Sequence, residues 1–186
     1  MKVTVEISAR HLHLTKEDYE LLFGQSKPKV IKHLSQKGEF ASDKIVEVST
    51  DGKERLNTRF LGPFRDSTQV ELTRTDAYKL SINPPLAECA CKTIGSKMIL
   101  FGPNGSIVRP AAIVSHRHLH ISPEKAESLG LKEDGMVKVR ISGARALTFE
   151  NVLVRIDPAF HLDVHIDTDE ANAAGISKTT VGELII

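Results

Sequence analysis

The residues of this chain best suited to chemistry are histidines set in two matching pairs. His11 and His13 lie in Ser8-Ala-Arg-His-Leu-His-Leu-Thr15, and His118 and His120 lie in Ser115-His-Arg-His-Leu-His-Ile-Ser122. In one constant register Ser8 matches Ser115, Arg10 matches Arg117, and His-Leu-His is repeated. β-Branched residues precede both copies (Val3, Val5, Ile7; Ile113, Val114), which favours a strand. Residues two apart on a strand project to one side, so each pair of imidazoles is half of a metal site. A second constant register lays Val70–Ala77 over Val164–Ala171 and Asn57 over Asn151, and there Glu71 falls on His165. Each half therefore offers three potential ligands: His11, His13 and Glu71 in one, His118, His120 and His165 in the other.

Three protein ligands of histidine and carboxylate type with an open position form the pattern of a catalytic zinc site, whereas structural zinc prefers four ligands, often with cysteine. Imidazole-rich sites also suit iron, nickel or copper, so zinc is the preferred ion among several. Two such sites close together could clamp an anion, polarise a carbonyl or generate a nucleophile. Arg65 is the best cation for anion binding. It follows Gly62-Pro63-Phe64, and its counterpart in the repeat is Ala159, so its task is performed once. A guanidinium suits phosphate or carboxylate through paired hydrogen bonds. Arg10 and Arg117 alternate with the histidines, point to the other strand face and are expected to support the fold. His116 and His161 break the repeat, lying opposite Ala9 and Ser67, and His33 reads as a polar surface or cleft residue.

The elements that must position these groups are short. Thr15 and Ser122 are N-caps, with Asp18 in a capping-box-like place and Pro123 at a first helical position. They start helices over about 15–24 and 122–130. Strands are expected over 44–49, 55–61, 69–73, 99–108 (with a Phe-Gly-Pro-Asn-Gly turn), 136–141, 149–156 and 162–166, with helical turns at 76–80 and 171–174. Many short strands and few long helices indicate a mainly β protein, built as two related small β-barrel domains with short capping helices. The units are expected over 1–110 and 111–186, with the N-terminal strand open to sharing between barrels.

The 186 residues carry a formal charge of +1, which argues against a nucleic-acid binder that works by phosphate neutralisation. No apolar run approaches about 18 residues, so no membrane-spanning helix is expected. Cys89 and Cys91 are too close for easy disulfide geometry and read as plain structural residues. No secretory leader precedes the first motif, and the chain reads as cytoplasmic.

Several segments together carry a family resemblance: Ser8-Ala-Arg-His-Leu-His-Leu14, Leu61-Gly-Pro-Phe-Arg65, Gln69-Val-Glu-Leu72, Arg117-His-Leu-His120 and His165-Ile-Asp-Thr-Asp-Glu-Ala-Asn-Ala-Ala-Gly175. In order and spacing, over nearly the whole chain, they resemble the PduL-type phosphotransacylases. The resemblance implies two β-barrel domains, a dimetal zinc site between them, homodimers, and reversible acyl transfer between coenzyme A and inorganic phosphate. By position it implies one zinc on His11, His13 and Glu71, a second on His118, His120 and His165, and phosphate on Arg65. It places Ser8, Lys32, Arg59, Leu61 and Asn172 near coenzyme A. Phe64 departs from the alanine expected beside Arg65, and His116 is an additional imidazole that could supply an alternative ligand. Only Met1–Ile7 precede Ser8, too short for the amphipathic N-terminal extension of microcompartment-packaged members.

The reaction so implied converts a short-chain acyl-CoA, acetyl or propionyl, and phosphate to acyl phosphate and CoA. No side chain is an obvious nucleophile, which favours direct attack by phosphate over an acyl-enzyme. The rivals are a dimetal hydrolase of thioesters or acyl phosphates, and a metal-binding module without catalysis. The first predicts hydrolysis without phosphate-dependent exchange, and the second predicts no need for Arg65.

Overall fold

The structure, a computed structural model, describes residues 1–88 and 92–186. The reading of Cys89 and Cys91 as plain structural residues lies outside the described residues. In chain order the elements are β1 (Lys2–Ser8), β2 (His11–His13), α1 (Lys16–Phe23), β3 (Val30–His33), β4 (Phe40–Ser49), β5 (Leu56–Gly62), β6 (Gln69–Leu72), α2 (Arg74–Lys79), β7 (Leu86–Ala87), β8 (Ser96–Gly102) and β9 (Gly105–Ser115). There follow β10 (His118–Ile121), α3 (Pro123–Ser128), β11 (Met136–Ile141), β12 (Leu147–Ile156), β13 (Asp163–Asp167), α4 (Thr168–Ala174) and β14 (Thr180–Ile185). The protein is mainly β, with two closed six-stranded barrels and short helices.

Two compact units are formed, Arg10–Ser115 and Met1–Ala9 with His116–Ile186. In the Arg10–Ser115 barrel β4, β5, β2, β6 and β9 are neighbours in that order, and β8 closes the ring by pairing with both β4 and β9. β3 adds to β4, and β7 to β9, outside the ring. In the other barrel the closed order is β1, β13, β10, β12, β11, β14. The chain changes units between Ala9 and Arg10 and again between Ser115 and His116. The strand leading into each histidine motif is thus part of the opposite barrel: β1 lies parallel to β13, and β9 parallel to β6.

Each barrel is filled by the inward-facing alternate residues of its strands. Leu12, Val46, Val48, Phe60, Val70, Leu72, Met98 and Leu100 fill the first, under Tyr19, Leu22 and Phe23 of α1. Val3, Val5, Leu119, Ile121, Val139, Val154, Val164 and Ile166 fill the second, with Ala126, Ala171 and Ala174 from its helices. Burial of this apolar surface is the main favourable term for folding.

The helix starts follow the capping chemistry. Thr15 accepts from the Asp18 amide and Ser122 from the Lys125 amide, and Pro123 stands at the start of α3. The Asp18 carboxylate does not complete a reciprocal box. It turns to Arg109, with both guanidinium Nε and Nη2 donating to it, and accepts from the Thr68 hydroxyl. A buried carboxylate gains more from a guanidinium than from one further backbone amide. The reciprocal capping box is found instead at α4, between Asp167 and Glu170. Arg10 and Arg117 support the fold as expected. Arg10 bonds Asp76 on α2 and the Asn57 carbonyl, and Arg117 bonds Glu170 on α4 and the Glu150 carbonyl.

Candidate metal centres and the Arg65 loop

The orientation of the histidines follows from the barrel cores. Leu12 and Leu119 are fully buried inside their barrels, so the flanking histidines of each pair must face outwards. The same alternation applies to Glu71, between buried Val70 and Leu72, and to His165, between buried Val164 and Ile166. β2 runs antiparallel to β6 with His11 directly opposite Glu71, and β10 runs antiparallel to β13 with His118 directly opposite His165. The two third residues therefore occupy equivalent places in the two folds.

In the Arg10–Ser115 unit, His11, His13 and Glu71 bring one ligand atom each within 4.8 Å of the others. Glu71 Oε1 lies 3.2 Å from His11 Nε2 and 3.6 Å from His13 Nε2. Zinc–nitrogen bonds of about 2.05 Å in a tetrahedron put ligand atoms about 3.3 Å apart, so this donor set fits such an ion. The ring of His13 is oriented from behind. Its Nδ1–H donates to the Leu61 carbonyl at 3.0 Å, which leaves Nε2 with the lone pair. Burial, together with the nearby His11 and Arg65, holds the His13 imidazole well below its ordinary pKa, in the neutral form that a ligand needs. Burial pushes the Glu71 carboxyl upwards. His11, by charge and hydrogen bond, then His13 and the Ser115 hydroxyl outweigh it and hold Glu71 well below the usual carboxylate range. Gln69 Nε2 donates to the same carboxylate.

In the other unit His118, His120 and His165 also come within 4.8 Å by one ligand atom each. Ring centroids are 4.5 Å apart for His118 and His120, 5.1 Å for His118 and His165, and 4.6 Å for His120 and His165. His118 Nδ1–H donates to the His116 carbonyl at 2.8 Å, again leaving Nε2. Phe160 stacks on His120 at 3.9 Å and limits its rotation. Among the described residues His116 belongs to neither triad, and it contributes its backbone carbonyl. His161 and His33 are exposed.

Sequence reading did not single out Asp163 and Glu6. Asp163 is buried, and its Oδ1 lies 3.3 Å from His120 Nδ1 and 3.3 Å from His165 Nε2. Burial pushes its carboxyl up, but hydrogen bonds from His120 and His165 and their charges bring it down to about 2. Glu6 Oε2 lies 3.6 Å from His165 Nε2. The signal available was position. Asp163 shares the strand face of His165, and Glu6 matches Ile113 in the repeat.

Arg65 sits on a loop anchored to the first triad. Its amide donates to the Leu14 carbonyl at 3.0 Å, just beyond His13, and Leu61 of the same segment supports the His13 ring. Phe64 stacks on Phe60 and meets Tyr19 edge-on, so its larger side chain packs against the core cluster rather than standing free beside Arg65. A Cβ at Gly62 would overlap the ring of Phe40, so glycine lets the two strands pair here without a shift. The Arg65 guanidinium donates to Glu39 at 3.3 Å.

The positions expected near coenzyme A are divided between the units. Arg59 on β5 stands beside His11 and donates to the Ser42 carbonyl at 2.7 Å. Lys32 on β3 pairs with Ala41, which pairs in turn with Leu61, so Lys32 and Leu61 belong to adjoining strands of one sheet. Ser8 ends β1 opposite Asp167, and Asn172 is exposed on α4.

The chain matches the phosphate propanoyltransferase family model over residues 4–177. It is 39% identical to a phosphate propanoyltransferase of Thermotoga maritima, over 98% of this chain and 87% of that protein. It is 41% identical to one of Alkaliphilus metalliredigens, over 100% and 88% of the respective lengths. One of Citrobacter freundii is 40% identical over 93% and 83%. The chain is a member of the phosphate propanoyltransferase family.

Proposed function

We propose that this protein reversibly converts a short-chain acyl-CoA, propionyl or acetyl, and phosphate to acyl phosphate and CoA at a dinuclear metal site. As a member of its family it is a phosphate acyltransferase. The observation that carries the site assignment is the pair of three-residue clusters at equivalent register positions, the first tied by backbone hydrogen bonds to the loop of Arg65. His11, His13 and Glu71 would hold one zinc, and His118, His120 and His165 a second. Bound metals supply fixed positive charge for phosphate and for the oxyanion that develops at the thioester carbonyl.

Arg65 binds phosphate through its planar fork and, with the fixed imidazoles, limits its orientation. A phosphate oxygen attacks the thioester carbon, the C–S bond breaks, and CoA leaves as the thiolate. Ser8, Lys32, Arg59, Leu61 and Asn172 would line the coenzyme A path. Positioning of the two reactants supplies much of the acceleration. The functional form is taken to be a cytoplasmic homodimer. Among the described residues no helix is long and apolar enough to cross a membrane.

The test is phosphate-dependent release of free CoA from propionyl-CoA and acetyl-CoA, with metal content measured before and after chelation. Turnover that requires phosphate, disappears with the metal and returns with zinc is expected. Bound metal without phosphate-dependent turnover would refute the assigned reaction.

A further inference from the structure

The two barrels place their carboxylates differently. Beside Glu71 the neighbours are uncharged: Ile113 stands opposite it on β9, and Gln69 shares its face on β6. Beside His165 the equivalent places hold acids, Glu6 opposite on β1 and Asp163 on the same face of β13. An anionic ligand has neutral surroundings, and a neutral ligand has anionic ones. Asp163 is 4% exposed, and a buried carboxylate needs donors. Its Oδ1 is 3.3 Å from both His120 Nδ1 and His165 Nε2, and Glu6 Oε2 is 3.6 Å from that same His165 nitrogen. An imidazole nitrogen facing carboxylate oxygens carries the proton, because a lone pair there would meet only acceptors. His165 is common to two groups, one with Glu6 and Asp163 and one with His118 and His120.

The geometry points to Asp163 as a positioning residue of the second metal site, an outer carboxylate that accepts N–H from His120 Nδ1 and from His165 Nε2. This inference rests on the metal-binding reading above. It leaves His120 Nε2 and His165 Nδ1 as the ligand atoms. His165 then binds through the opposite nitrogen from His13 and His118, whose Nδ1 groups are engaged by backbone carbonyls. It also gives each metal one nearby carboxylate, a direct ligand in the first site and one shell removed in the second.

Two measurements test it on the full-length, zinc-loaded protein. Long-range proton–nitrogen correlation on nitrogen-15-labelled protein reports which nitrogen of each histidine carries hydrogen. The expected result is hydrogen on Nδ1 of His120 and on Nε2 of His165, and a proton on His165 Nδ1 overturns the inference. Asp163→Asn keeps the shape but offers one acceptor oxygen in place of two. It is expected to hold the second zinc about 10- to 100-fold more weakly in chelator competition, with the first zinc retained. Wild-type affinity at both sites in that variant overturns the inference alone. An unmutated protein that takes no zinc at His118, His120 and His165 overturns the metal-binding reading and this inference with it.

Discussion

Arg65→Ala is expected to cripple phosphate use without disturbing the fold. The loop does not depend on the guanidinium: the Arg65 amide is held by the Leu14 carbonyl, and Phe64 is fixed among Tyr19 and Phe60. The side chain is 38% exposed and its ion-pair partner Glu39 is 29% exposed. A pair so placed contributes about 0–1 kcal/mol to stability. Thermal unfolding of the variant should therefore stay close to that of the parent. Against a bound phosphate, one charge-assisted hydrogen bond is worth about 1.5–3 kcal/mol. That corresponds to a loss of roughly 10- to 150-fold in kcat/KM for phosphate, and more where both arms of the fork engage. Arg65→Lys keeps the charge but not the paired geometry, so it should fall between parent and alanine variant. The assay is CoA release with phosphate varied at saturating acyl-CoA, run beside thermal melts and metal analysis. An alanine variant that retains both metals and shows an unchanged kcat/KM for phosphate would refute the assignment.

If the proposed assignment holds, Glu71→Gln removes the anionic ligand of the first site, and metal analysis should show the content fall from two ions per chain towards one, with the His118 triad still loaded. Gly62→Ala drives a methyl group into the Phe40 ring, and either that ring or the segment carrying Leu61 and Arg65 must shift. Weaker zinc retention at the first site and a raised KM for phosphate should be measured together, because the His13 support and Arg65 share that segment. Leu119→Ala empties a fully buried position in the second barrel. Urea unfolding should report a loss of about 2–5 kcal/mol.

Much of the site was legible because its residues sit in repeated frames. The His-X-His pairs identify themselves by type, and the second register aligned Glu71 with His165 before any strand pairing was known. The observed pairs, His11 with Glu71 and His118 with His165, place the two third residues equivalently. The barrels and the short capping helices were legible from alternation, turns and caps. Sharing of the N-terminal strand was left open, but its partners, and the matching exchange of β9, were not legible. Nothing local in Lys2–Ser8 says that it pairs with β13 and β14 of the opposite repeat, since its apolar face would suit either core. The last strand, β14, went unread for a related reason: its identity comes from closing a barrel with β1 and β11, far away in the chain. Asp163, Glu6 and Glu39 were missed because isolated acids carry no signal until register brings them to a partner.

The division between what repeats and what diverges follows the faces of the strands. Inward positions stay apolar in both copies: Leu12 with Leu119, Phe60 with Val154, Val70 with Val164, Leu72 with Ile166. A polar group at any of them would lose packing and hydration together. The differences collect at positions facing away from the two cores, Glu71 against His165, Gln69 against Asp163 and Ile113 against Glu6, and on a loop, Arg65 against Ala159; Gln69, Asp163 and Ile113 are still buried, so each must keep its polar partners or its apolar contacts. A repeated barrel can therefore vary its candidate ligands, the acids beside them and Arg65 without replacing the residues that fill its core. This also explains why the two sites need not be chemically identical although their frames are. In the proposed assignment the first has a carboxylate, Glu71, among its three ligands and the adjoining Arg65 loop. The second has imidazoles alone, with the acids set behind them. Substitutions at the partly exposed Arg65 should accordingly alter phosphate use with little loss of stability, whereas substitutions in the cores, such as Leu119→Ala, should lower stability first.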